Sequence, residues 1–183
     1  TFFYEQPLTA KNGRWSWRDH TPCCPPMFLK FYSEVPTYIY SYTDDAVYVN
    51  QFISSELTLP DGRKVAMESN MPFGGDTSIT VEKDTRLYIR LPQWADAEGI
   101  TIQVNGADAD YTVEKGYALL DVQDGDKVDV TFPMEARRIY NDQQVDETEG
   151  MVAFGYGPLV YTFEQVDNPG VTNFGVTEFC MGI

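Results

Sequence analysis

The chain has 183 residues, 43% of them hydrophobic and 14% aromatic, with a net charge of −15 and a pI near 4.2. That charge argues against nucleic acid and anionic membrane as partners. No apolar run reaches the roughly 18 residues of a membrane-spanning helix. The length suits one large domain or two small ones. The plentiful aromatic and β-branched residues argue against disorder, and the 11 Phe, 12 Tyr and 3 Trp are expected to supply much of the core. Charge is uneven, at +1 over residues 1–43 and −16 over the remainder, as on a solubilised β-module. The chain opens at Thr1 without an initiator Met, as a mature product or an excised piece would.

Residues 1–22 read as irregular, punctuated by Pro7, Gly13 and Pro22. Trp15 and Trp17 alternate there with polar residues, either as a sugar-stacking platform or as packing against a downstream helix. Next comes Thr21-Pro22-Cys23-Cys24-Pro25-Pro26 and an apolar run from Met27 to Tyr32. Proline is favoured in the first turn of a helix. Met27, Phe31 and Val35 share one face of a short helix, and Pro36 is expected to stop it. Cys23 and Cys24 then lie at the helix N-terminus, where the dipole favours a thiolate, as nucleophile or as metal ligand.

Period-two alternation from Thr37 to Tyr42 predicts a strand, Asp44-Asp45 a turn, and Ala46–Phe52 a second strand. Strand signals then recur about every ten residues, at 56–59, 64–67, 77–81, 87–91, 100–104, 111–113, 117–122 and 127–132. Pro60-Asp61-Gly62-Arg63, Asn105-Gly106, Lys115-Gly116 and Asp124-Gly125-Asp126 mark turns among them. Short strands at this spacing predict an antiparallel β-sandwich and not a parallel α/β sheet. Asn141–Gly150 is the best linker, and Met151–Phe154 and Leu159–Phe163 flank Gly155-Tyr156-Gly157-Pro158 as two more strands. The tail after Asp167 has no clear period.

Few other residues carry chemistry. A disulfide between Cys23 and Cys24 would be strained, since Cα atoms across one trans peptide are about 3.8 Å apart. Adjacent thiolates can both reach one zinc ion, which usually takes four ligands. The other candidates are sparse: His20 is the single histidine and reads as a surface residue, and Cys180 is remote in sequence. Asp44/Asp45 and Asp108/Asp110 suit turns better than acid–base work. Gly74-Gly75 and Gly155-Tyr156-Gly157 lack the helix that a phosphate loop requires.

Several stretches taken together resemble bacterial β-L-arabinofuranosidases of glycoside hydrolase family 127. They are Phe2-Phe3-Tyr4-Glu5-Gln6-Pro7-Leu8, Trp17, Cys23-Cys24-Pro25-Pro26, Tyr38-Ile39-Tyr40 and Val47-Tyr48-Val49-Asn50. Further on, Leu87–Ala95, Val104-Asn105-Gly106, Lys115-Gly116-Tyr117 and Gly157–Tyr161 are similar to the family's β-sandwich modules. The resemblance runs to about Pro169.

It implies a mainly β fold, an antiparallel β-sandwich preceded by one short helix that is the remnant of an (α/α)6 barrel. The implied division is 1–42 for the barrel remnant, 43–145 for the sandwich, and 146–183 for a further β segment or return strands. The implied chemistry is a retaining glycosidase acting on β-L-arabinofuranosides or related plant and glycoprotein glycans. Cys23 is its nucleophile, and Cys23 and Cys24 are zinc ligands. The remaining ligands and the acid/base glutamate belong to a segment upstream of the pair. Zinc is therefore expected in the intact parent and not in this piece, which is expected to be inactive alone. The implied partner is carbohydrate, and a secreted or periplasmic location is favoured over a cytoplasmic one. The alternative is a non-catalytic carbohydrate-binding or structural module in which Trp94 stacks on a glycan.

Overall fold

The computed structural model describes residues 3–5, 15–16, 23–140, 142, 144, 152–162 and 167–170. His20, Trp17 and Cys180 lie outside the described residues, as does most of the 141–150 linker.

The N-terminal stretch expected to be irregular contains a two-stranded antiparallel ladder, β1 (Phe3–Glu5) against β2 (Trp15–Ser16). Helix α1 comes next, at Cys24–Glu34. Helix α1 ends before Pro36, as expected, but Pro36 does not lead straight into a strand. It opens a one-turn helix, α2 (Pro36–Ile39), because proline fits a first helical position, where its missing N–H has no partner to lose. The strand expected from Thr37 therefore starts three residues late, as β3 (Tyr40–Tyr42).

Two sheets make the sandwich. The five-stranded sheet contains β3, β4 (Ala46–Val49), β8 (Thr85–Arg90), β11 (Thr112–Glu114) and β12 (Tyr117–Val122), in the order β11-β12-β8-β4-β3. The six-stranded sheet contains β5 (Ser55–Thr58), β6 (Lys64–Ser69), β7 (Asp76–Glu82), β9 (Thr101–Val104), β10 (Ala107–Asp108) and β13 (Lys127–Thr131), in the order β10-β9-β13-β7-β6-β5. The ladders are antiparallel except β4–β8, which is parallel, with Val47 opposite Leu87 and Val49 opposite Ile89. The chain leaves β4, builds three strands of the opposite sheet, and returns beside β4 in the same direction. β4 is also shorter than the sequence suggests. Beyond Val49 the amides of Asn50 and Gln51 both turn to the Ile39 carbonyl instead of a neighbouring strand.

The alternation that predicts strands also fills the core. Val47, Val49, Leu87, Ile89, Ala118 and Leu120 face inward from the five-stranded sheet, and Val65, Met67, Ile79, Val81, Val128 and Val130 from the other. Branched aliphatic side chains suit the space of about 10 Å between two sheets. The expectation of an aromatic core needs correction: among the described residues, Phe132 is the one buried aromatic. Phe52 and Trp94 tilt against it at one end of the sandwich, at 4.6 and 6.0 Å between ring centroids. Tyr48, Tyr88 and Tyr117 instead stand on the outer face, with Tyr48 and Tyr88 stacked at 4.3 Å and Tyr117 edge-on to Tyr48 at 5.7 Å.

Arg137–Tyr140, which shows no clear strand signal, lies in β14 (Ala136–Tyr140). It pairs with β15 (Val152–Tyr156), which pairs with β16 (Leu159–Tyr161), in a separate three-stranded sheet. Residues 136–140, within the 43–145 segment of the sequence division, thus share a sheet with residues 152–161. Gly155 and Tyr156 continue β15, so the break is narrower than expected, at Gly157-Pro158. Glycine suits position 155 because the Arg137 and Ile139 side chains come within 3.3 Å of where a Cβ would lie.

Candidate functional site

Cys23 is the N-cap of α1 and Cys24 its first residue, as the sequence suggests. The first helical bond runs from the Met27 amide to the Cys23 carbonyl at 3.3 Å. An N-cap side chain ordinarily accepts a hydrogen bond from the second or third helical N–H. Here those positions are Pro25 and Pro26, which have none, and the Cys23 sulfur makes no capping bond. The prolines start the helix and also withhold backbone donors from the sulfur. The helix end is thus a poorer anion site than its position alone implies.

The two sulfurs are 3.7 Å apart, and both residues are exposed. That distance is far too long for a disulfide, near 2.05 Å. It fits two thiolates about 2.3 Å from one tetrahedral zinc ion, which stand about 3.8 Å apart. The pair therefore fits two corners of such a site. Among the described residues no group of three or more His, Cys, Asp or Glu side chains converges.

Helix α1 has no buried residue. Met27, Phe28, Leu29, Phe31 and Tyr32 are each more than half exposed, so the apolar face read from the sequence has no core to face among the described residues. Phe28 stacks on Tyr32 at 6.5 Å and Phe31 lies 6.3 Å from Tyr38, contacts within the helical segment itself. Trp15 lies in β2. Asp44 and Asp45 sit in a bend, where the Thr43 hydroxyl donates to Asp45 at 2.9 Å. Asp108 accepts from Gln103 at 3.0 Å at a sheet edge.

A second concave feature lies where the parallel strands β4 and β8 end together. Asn50–Ile53 comes after one strand and Pro92–Trp94 after the other, and between them opens a cleft of about 520 Å³ that Pro158 of the third sheet also lines. The sequence signals only Trp94 there. The cleft depends on the parallel pairing, which strand spacing does not reveal.

Residues 46–134 match the family description "Beta-L-arabinofuranosidase, GH127 middle domain" and residues 136–180 match "Glycoside hydrolase family 127 C-terminal domain". The matches meet at Glu135, where the chain passes from the sandwich to the third sheet. A non-reducing end β-L-arabinofuranosidase of Bifidobacterium longum subsp. longum is 33% identical over 159 residues, covering 81% of this chain and 24% of the relative. The chain thus spans about a quarter of that protein's length. A crystal structure of a GH127 β-L-arabinofuranosidase from Geobacillus stearothermophilus T6 superposes with a TM-score of 0.75 at 32% identity, over 85% of this chain and 26% of that one. A second GH127 β-arabinofuranosidase superposes with a TM-score of 0.76 at 29% identity, over 87% and 29%.

Proposed function

The chain belongs to glycoside hydrolase family 127, whose middle and C-terminal domains it carries in tandem, and on that premise we propose that it is the C-terminal portion of a retaining glycosidase acting on β-L-arabinofuranosides or related glycans. The observation that carries the catalytic reading is the exposed Cys23–Cys24 pair, held 3.7 Å apart at a helix start whose prolines offer the Cys23 sulfur no capping bond.

Cys23 acts as the nucleophile. Its thiolate attacks the anomeric carbon, the C–S bond forms as the glycosidic C–O bond breaks, and the departing oxygen takes a proton from a general acid. Water, deprotonated by the same group, then displaces the sulfur and restores the starting configuration. The acid is a glutamate of the upstream segment. Cys24 would hold a bound zinc ion together with Cys23 and so position the nucleophile. When bound, zinc supplies the positive charge that keeps both sulfurs ionised near neutral pH. This chain contributes two ligands, and the rest come from upstream. The exposed apolar face of α1 agrees with a helix that packs against that segment.

The test is hydrolysis of an aryl β-L-arabinofuranoside. The intact protein is expected to turn it over, and Cys23→Ser to lower kcat by on the order of 10³-fold or more. Cys24→Ala is expected to lower bound zinc, read by elemental analysis. The chain alone is expected to be silent. Turnover by the chain alone that Cys23→Ser abolishes would overturn the two-part site.

A further inference from the structure

The cleft at the shared end of β4 and β8 has an unusual charge. In a chain of net charge −15, its one charged lining residue among those described is Arg90, a cation. Arg90 lies on the outer face of β8 and reaches over the sheet end, where its Nη1 donates to the Asn50 carbonyl at 3.4 Å. That contact uses one of five guanidinium N–H groups. Among the described residues Arg90 makes no ion pair, whereas Arg63 and Arg86 each pair with aspartate. The Asn50 loop beneath it is fixed, since Tyr117 donates to Asn50 Oδ1 at 2.8 Å and Asn50 Nδ2 donates to Ser41 at 3.1 Å.

Besides Arg90, the polar side chains of the lining are the amides of Asn50, Gln51 and Gln93, and the rest of the wall is apolar or aromatic. Trp94 packs on Phe132, and its six-membered ring edge abuts the Gly157 turn, with Cζ3 at 3.7 Å from a Cβ placed there. Trp94 as a whole is half-buried and lines the cleft. Phe52 and Met71 line the wall, and Gln93 at the rim is exposed. A volume near 520 Å³, a largely apolar lining, a few convergent donors and a place between two modules are the usual marks of a small-ligand site.

We propose that this cleft binds a uronic acid residue of a glycan, with the sugar carboxylate on Arg90, a sugar face against Trp94, and a hydroxyl on Gln93. An Arg–carboxylate pair can be bidentate, which gives both charge and geometry. The protein's other carboxylates disfavour an anion only at short range, since charges are screened beyond about 8 Å at physiological ionic strength. The site is an accessory one and rests on the reading of the parent as a carbohydrate-acting protein. It would hold an acidic glycan while hydrolysis proceeds elsewhere.

The test uses the full chain, monitored by tryptophan fluorescence and calorimetry, with a galacturonate trisaccharide and neutral arabinotriose as probes. The uronate is expected to bind saturably with Kd on the order of 0.1–1 mM, and arabinotriose at least about tenfold more weakly. Binding is expected to weaken several-fold between low and high salt and at least about tenfold in Arg90→Gln. Arg90 is exposed, so the thermal midpoint of that variant reports whether folding is intact. Gln93→Ala gives a second, milder loss. No saturable signal with the uronate, equal binding of both sugars, or unchanged binding in folded Arg90→Gln would each overturn the proposal. Hydrolysis of a neutral aryl arabinofuranoside by the intact protein depends on Cys23 and not on Arg90. Failure of the accessory site is therefore separable from failure of the catalytic reading.

Discussion

The guanidinium of Arg63 donates to the carbonyl oxygen of Thr43 at 2.6 Å, tying the β5–β6 hairpin of one sheet to the β3–β4 turn of the other. The same group donates to the Thr85 hydroxyl at 3.1 Å and to Asp61 at 2.7 Å, so one cation joins three turns. Its side chain is only 7% exposed. Truncation would leave the Thr43 carbonyl without this partner at the sandwich rim. Arg63→Ala is expected to lower stability by roughly 2–3 kcal/mol, the cost of stranding buried polar groups. The midpoint of urea unfolding measures it. A change below about 0.5 kcal/mol, the range of an ordinary surface substitution, would show that the bridge holds nothing.

Gly75 and Phe132 continue the pairing of β7 and β13 by one residue at one end of the six-stranded sheet. The Phe132 amide donates to the Gly75 carbonyl at 3.0 Å, and a Cβ on Gly75 would overlap the Phe132 carbonyl oxygen. The obstructing atom is backbone, so it cannot swing aside. Gly75→Ala must part the strands next to the ring that closes the core. The expected loss is about 3 kcal/mol, at the high end for an overpacked site, and is read as a fall in thermal midpoint. Gly106→Ala meets no atom within 4 Å but would take a φ of +81°, so it separates backbone strain from steric conflict.

Much of the sandwich is legible in the sequence because its inner faces alternate strictly. Lys127–Thr131 alternates in burial as it alternates in polarity, and Tyr117–Val122 has the bounds that its pattern predicts. Asn105-Gly106 and Lys115-Gly116 form tight turns because both residues of each pair adopt positive φ. What period-two patterns cannot give is partner and direction. The parallel β4–β8 pair, and hence the cleft at its end, depends on a long-range return that no local signal marks. The helix stop at Pro36 is legible, but the one-turn helix that delays the strand expected from Thr37 is not, since proline ends one helix and begins another equally well. Cys23 and Cys24 stand out by their prolines, but among the described residues no third metal-ligating side chain converges on them.

Acid sensitivity is expected from three carboxylates. Asp126 accepts from the Gln123 amide at 2.8 Å and from Asn105 at 2.7 Å, and these bonds hold its pKa below the usual carboxylate range. The Arg63 amide does the same for Asp61, and the Lys127 ammonium for Asp129. A folded-state pKa below the unfolded one contributes stability that is present above the unfolded value, about 3.9, and lost as pH falls through the folded value. The thermal midpoint is therefore expected to hold near neutrality and fall below about pH 4. Asp126→Asn should be less stable than the wild type at pH 7, with the gap closing as pH drops. A gap that stays constant with pH would remove Asp126 from this account.

Helix α1 supplies the sharpest distinction between the chain and its parent. Phe28 and Tyr32 stack on each other yet remain 53% and 71% exposed, and no residue of the helix is buried. Their removal should hardly affect the sandwich, whose core lies in other elements. In the chain alone, Phe28→Ser with Tyr32→Ser is expected to shift unfolding by less than about 0.5 kcal/mol for each exposed site, while reducing dye binding to apolar surface. In the intact protein the same rings are expected to be covered, and the double substitution should cost several kcal/mol, about 3 or more for each large aromatic buried there. Limited proteolysis gives an independent reading: the Met27–Tyr32 stretch should be cut readily in the chain and be protected in the parent. Equal effects of the substitutions in both proteins would mean that the apolar face of α1 meets solvent in each, and that Cys23 is not carried into a larger site by the helix it starts.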